Sequence, residues 1–163
     1  MAVSIPIGYA VVGLGSIVET AVLPAFRSAK KSKLVPLVSH DESRAQQLGT
    51  KFGVKHCYSY GNYDDCLRQP GVDAVFIASV NSAHAEQTIR AAAAGKHLLC
   101  EKPMATLVAD CGRLVAACQA NGVRLMIAYR KYFEPGSVAL KELVTRGKLG
   151  RLRHIFFELH RDR

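Results

Sequence analysis

A doubly wound α/β domain built on a parallel sheet is the fold this sequence predicts. Three observations lead to it. Short runs rich in Val, Ile and Leu alternate almost without a break with stretches of helical periodicity. The runs are continuously apolar, as in strands covered on both faces. A glycine pair, Gly13 and Gly15, directly follows the first run.

Each element has its own signal. Strands are expected over 5–12, 33–39, 54–57, 73–78, 96–100 and 124–128. Helices are expected over 16–30, 42–52, 62–68, 82–94 and 107–121. Pro24 falls inside the first helix and is expected to kink it. Asp41 stands as N-cap of the second. Gly95 ends the fourth. In the fifth, Leu107, Cys111, Leu114, Val115 and Cys118 form one apolar face, and Asn121-Gly122 closes it. Residues 1–128 thus read as one α/β domain.

After residue 128 the rhythm changes. Glu134-Pro135 opens a helix-like stretch to about Thr145, and Gly147 and Gly150 break it. Arg151 to His160 reads as a long strand with Leu152 and Phe156 on one face and Ile155 and Phe157 on the other. Residues 129–163 are therefore expected to be the first helix and strand of a second, incomplete α+β domain. An unpaired apolar strand of this kind invites pairing, so self-association through it is expected.

Composition narrows the function classes. An apolar fraction of 49% fills a core at a length of 163 residues and excludes a disordered chain. No apolar run reaches the length of a membrane span, and the N-terminus lacks the basic region of a signal peptide. The five cysteines include no C-x-x-C pair, so they read as small apolar fillers, and no metal site is expected. Cytoplasm is the expected location. The net charge of +9 is concentrated at the end: residues 124–163 hold 10 Lys+Arg against 4 Asp+Glu. No nucleic-acid motif accompanies it, so it reads as a solvated face without a nucleic-acid or membrane partner.

The glycine turn is the first candidate site. Gly13 suits a tight turn, and Gly15 lets backbone N–H groups approach a pyrophosphate, with Ser16 and Ile17 next in line. Val18 stands where the full fingerprint has a third glycine. A plain βα turn accounts for the pair equally well. The second strand ends at Ser39-His40, where an NAD site usually carries a carboxylate. Ser39 offers a hydroxyl and Arg44 a cation, which favours the 2′-phosphate of NADP over NAD. Small residues Ala78 and Ser79 end the fourth strand and leave room for a flat cofactor. Asn81 and His84 offer polar contacts there, although Asn81 or Ser82 also suits a helix cap. Glu101-Lys102-Pro103 puts an ammonium at the carboxyl edge of the sheet, where open α/β folds bind ligands. A lysine beside a nicotinamide can hold a substrate hydroxyl and help move its proton. A solvated lysine before a loop is the bland reading of the same residue.

These motifs together resemble the glucose–fructose oxidoreductase, inositol dehydrogenase and MocA family. The resemblance rests on Gly13-Leu14-Gly15, Val38-Ser39, Val80-Asn81-Ser82-Ala83-His84, Ala94-Gly95-Lys96-His97 and, above all, Cys100-Glu101-Lys102-Pro103-Met104-Ala105-Thr106. Leu125-Met126-Ile127-Ala128-Tyr129-Arg130 and Gly147-Lys148-Leu149-Gly150 extend it. It implies a Rossmann NAD(P)-binding domain and an oxidoreductase of a sugar or polyol CH–OH group. Lys102 would be the catalytic lysine, contacting nicotinamide ribose and substrate, with Glu101 helping to hold it on the cofactor side. Ser39, His40 and Arg44 would surround the 2′-phosphate, and Tyr60 would lie at the adenine end. Asn81 and His84 would line the cofactor, and Arg130 would sit near nicotinamide or phosphate. The resemblance also implies a homo-oligomer whose second domain covers the nicotinamide, so this length alone is expected to turn over sugar poorly. A non-catalytic NAD(P)-binding or regulatory module is the alternative; retention of Glu101 and Lys102 weighs against it.

Overall fold

A computed structural model of the chain describes residues 5–156 and 158. It divides into two compact units, Met1–Ala128 and Tyr129–Arg163. The first holds strands β1 (Ile7–Val12), β2 (Ser32–Ser39), β3 (His56–Ser59), β4 (Ala74–Ile77), β5 (His97–Cys100) and β6 (Leu125–Ile127). All pair in parallel in the order β3-β2-β1-β4-β5-β6. Helices α1 (Leu23–Ser28), α2 (Glu42–Phe52), α3 (Tyr63–Arg68), α4 (His84–Ala93) and α5 (Val108–Ala120) connect them. This is the doubly wound Rossmann arrangement, and its strand order reverses between β1 and β4.

Alternation along β1 splits the core in two. Ala10 and Val12 join Val75, Ile77, Leu98 and the inner faces of α3, α4 and α5. Val11 joins Leu37, Phe76, Leu23 and Leu48 on the other side. Both faces of the central strands are therefore buried, which is why their sequences are continuously apolar. Cys66, Cys100 and Cys118 are buried fillers in the first cluster. Burial pushes the Cys66 thiol up to about 12 and Cys100 up to about 11.

The local signals explain most boundaries. Asp41 Oδ1 accepts the Arg44 N–H at 2.9 Å and starts α2. Gly53, at φ 72°, ends it. The Val54 N–H still bonds Gly49 O at 2.8 Å, so the helix exit holds residues 53–55 and β3 starts at His56, two residues later than its sequence suggests. Pro36 lies inside β2, where it cannot donate to the ladder. The β1–β2 register slips there, between the pairs Tyr9–Leu34 and Val11–Leu37. The kink expected at Pro24 takes the form of a wider, π-helical turn over Val18–Val22, closed by Leu23 N–H to Val18 O. Pro24 lacks the N–H that would bond Thr20, so the turn before it opens. Among the described residues no helix is long and apolar enough to cross a membrane.

The second unit holds a 3₁₀ turn, Arg130–Phe133, and α6 (Pro135–Thr145). Lys141 Nζ donates to Tyr132 OH at 2.9 Å and lies over its ring. That ammonium draws the Tyr132 hydroxyl below its ordinary range. The strand expected over 151–160 is not formed at 151–156 or 158; residues 157, 159 and 160 lie outside the described set. Alternating side chains define two faces but supply no ladder partner, and no other strand of the second unit is present among the described residues to provide one. The edge expected to drive self-association is therefore absent from 151–156, although Ile155 and Phe156 are exposed.

Candidate cofactor site

At the switch point, the carboxyl ends of β2, β1 and β4 open into a cleft of about 410 Å³. Gly13, Gly15, Ser39, His40, Arg44, Tyr60, Ala78 and Ser79 line it, eight of the positions singled out from sequence. Leu14, Asp41 and Val80 line it too. Their signal was adjacency, since each sits in the same loop as a singled-out residue.

Gly13 closes the floor. Its φ is +85°, and a Cβ there would stand 2.5 Å from Ser79 Cα and N. Its N–H bonds Val38 O at 2.9 Å, so the turn is sewn to β2 on one side and pressed on β4 on the other. Gly15 differs. A Cβ there would meet nothing within 4 Å. The fold does not require glycine at this position, whereas a ligand approaching the backbone would. The helix that follows makes its first bonds from Val18 and Glu19 N–H to Gly15 O. The Ser16 and Ile17 N–H groups precede those bonds at an uncapped helix start, next to the cleft lining rather than part of it. These residues fit a dinucleotide pyrophosphate.

The β2 end presents a buried hydroxyl to the cleft. Ser39 is 2% exposed, and its Oγ accepts the Asp41 N–H at 3.0 Å, leaving the hydroxyl hydrogen to donate elsewhere. Asp41, the carboxylate that lines the cleft, commits Oδ1 to capping α2. Arg44, the cation the sequence offered here, already holds two partners. Its Nε donates to Leu14 O at 2.6 Å and its Nη2 to Glu19 Oε2 at 2.9 Å. His40 and Tyr60 pair as tilted rings 5.9 Å apart, an apolar shelf beside them.

Lys102 stands outside this cleft but on the same edge of the sheet. It follows β5, the neighbour of β4, and is exposed. Glu101 N–H bonds Ile77 O at 2.8 Å and extends the β4–β5 pairing to the motif. The Lys102 N–H faces Glu101 Oε2 at 3.3 Å, and the Lys102–Pro103 peptide is cis.

His84 needs correction as a cofactor-facing residue. Its ring is 1% exposed. Nδ1 lies 2.8 Å from Pro103 O and Nε2 3.2 Å from Ser79 O. It clamps the Lys102 turn to the end of β4 from inside. Beside it, Ser79 Oγ donates to Gln87 Oε1 at 2.6 Å. Asn81 opens a 3₁₀ turn before α4, and neither it nor Ser82 makes a side-chain cap bond. Arg130 lies in the second unit.

Known proteins are similar to this chain in sequence and fold. An oxidoreductase from Rhizobium meliloti is 35% identical over 157 residues, 94% of this chain and 46% of that protein. D-xylose 1-dehydrogenase [NADP(+)] from Haloarcula marismortui is 31% identical over 146 residues, 89% of this chain and 41% of that protein. The crystal structure of aldose–aldose oxidoreductase from Caulobacter crescentus, complexed with glycerol, superposes with a TM-score of 0.86 at 41% identity, covering 89% of this chain and 44% of that one. The chain thus spans less than half the length of these relatives. Over residues 7–129 it matches the model of the oxidoreductase family with an NAD-binding Rossmann fold, and it belongs to that glucose–fructose oxidoreductase, inositol dehydrogenase and MocA family.

Proposed function

We propose that this chain is the dinucleotide-binding part of an NADP-linked oxidoreductase that moves hydride between nicotinamide and a sugar or polyol CH–OH carbon. One observation carries the reading: the glycine-floored cleft and Lys102 share the carboxyl edge of the sheet, on strands that flank β4. An extended dinucleotide laid across the switch point would put adenosine over β2, pyrophosphate on Gly13–Gly15 and nicotinamide toward β5. When bound, the nicotinamide supplies the hydride acceptor or donor. Lys102 Nζ would hold the substrate oxygen and help carry its proton as the hydride leaves or reaches carbon. Glu101 and His84 fix the turn that presents Nζ. The names of the xylose and aldose enzymes support a sugar substrate. A homo-oligomer belongs to the same reading.

The 2′-phosphate preference rests on Ser39 and Arg44 at the end of β2. Each charge-assisted phosphate contact contributes roughly 1.5–3 kcal/mol. Calorimetric titration of the chain with NADP and NAD is expected to show tighter NADP binding. Arg44→Ala is expected to weaken NADP at least about tenfold and NAD far less. Equal or tighter binding of NAD to the unsubstituted chain rejects the preference.

A further inference from the structure

Arg44 reaches the cleft with one edge of its guanidinium already engaged. Nε and Nη2 share that edge, on Leu14 O and Glu19 Oε2, and Nη1 remains for a ligand. Glu19 lies on the π-helical turn after the glycine loop. Its second oxygen, Oε1, accepts Lys51 Nζ from the last turn of α2 at 3.1 Å. Lys51 first, then Arg44, draws the Glu19 carboxyl below its ordinary range, so it is anionic at neutral pH. A carboxylate therefore stands directly behind the cation that the cleft offers to a phosphate.

We propose that Glu19 sets the cofactor ratio, by opposing the 2′-phosphate of the nucleotide at Arg44. This rests on the NADP reading above. A 2′-phosphate at Nη1 would lie within a Debye length of the Glu19 carboxylate, and the two anions repel. Arg44 keeps a second anchor when the Glu19 charge is removed, because its Nε also donates to Leu14 O. Removing the Glu19 charge thus removes repulsion without releasing the cation. Lys51 acts in the opposite sense, since it offsets part of that charge.

The test uses 2′,5′-ADP and 5′-AMP, which differ only in the 2′-phosphate, titrated into the chain by calorimetry or NMR. Glu19→Gln is expected to bind 2′,5′-ADP about three- to tenfold tighter, with 5′-AMP within about twofold. Raising the salt should shrink the gain. Lys51→Met is expected to shift 2′,5′-ADP the other way, whereas loosened structure would weaken both variants. If the unsubstituted chain prefers 2′,5′-ADP and Glu19→Gln leaves that preference unchanged or lower, the Glu19 proposal fails alone. If the unsubstituted chain shows no preference but Glu19→Gln creates one, the native NADP preference fails, while the 2′-phosphate site at Arg44 and the Glu19 proposal stand. No preference in either form overturns both.

Discussion

Lys102→Ala, made in the protein expressed from its whole reading frame, is expected to slow hydride transfer about 10²- to 10⁴-fold. The bound cofactor should stay within about threefold of its normal affinity, because the cleft is lined without Lys102. The fold should not notice the change. Lys102 is exposed, and the turn around it is held by backbone groups: Glu101 N–H on Ile77 O and Pro103 O on the His84 ring. Lys102→Arg keeps the charge but replaces a compact ammonium with a planar fork, so it should recover little of the rate. His84→Ala acts one step removed. It should lower the rate and loosen the turn, so its melting temperature falls where that of Lys102→Ala does not. Steady-state rates with NADP and a panel of aldoses and polyols, beside thermal melts, separate these cases. A Lys102→Ala enzyme that keeps its rate within threefold would show that another group handles the proton.

The fold was legible because its strands are buried twice over. Val11 and Val12 face opposite cores, so β1 had to be apolar on both faces over Ala10–Val12, and runs of that kind stand out. Helix α2 runs over the expected residues because both of its ends carry local chemistry, Asp41 at one and Gly53 at the other. Long-range contact defeated the reading elsewhere. Spacing put His84 on the first turn of α4, but the carbonyl that captures its Nδ1 belongs to Pro103, 19 residues on. Glu19 gave no sign of a role, because its partners Arg44 and Lys51 are 25 and 32 residues away. The strand expected over 151–160 shows the converse. Its alternation is a local pattern, and a strand also needs a neighbour that no local pattern records.

The two glycines of the turn make the sharpest separation between fold and function. Gly13→Ala is expected to destabilise the chain by about 3 kcal/mol or more. A left-handed φ costs an L-residue about 1–2 kcal/mol. Overpacking adds roughly 1–3 kcal/mol. The new Cβ would press on Ser79 N and Cα and on the Ala78 carbonyl carbon, all backbone atoms within 2.6 Å, and no rotamer change can clear them. The only relief is to part β1 from the end of β4 at the switch point. Against a typical stability of about 5–15 kcal/mol, that is a large loss. Gly15→Ala should behave in the opposite way. Its φ lies outside the left-handed region and its Cβ meets nothing, so unfolding should stay within about 0.5 kcal/mol of the parent. The methyl group would instead stand where the pyrophosphate has to approach the Ser16 and Ile17 N–H groups, and NADP affinity should fall about tenfold or more. Urea unfolding and calorimetric titration of both variants measure the two effects separately. A Gly15→Ala chain that binds NADP like the parent would take the pyrophosphate off this turn, and with it the orientation that brings nicotinamide toward Lys102.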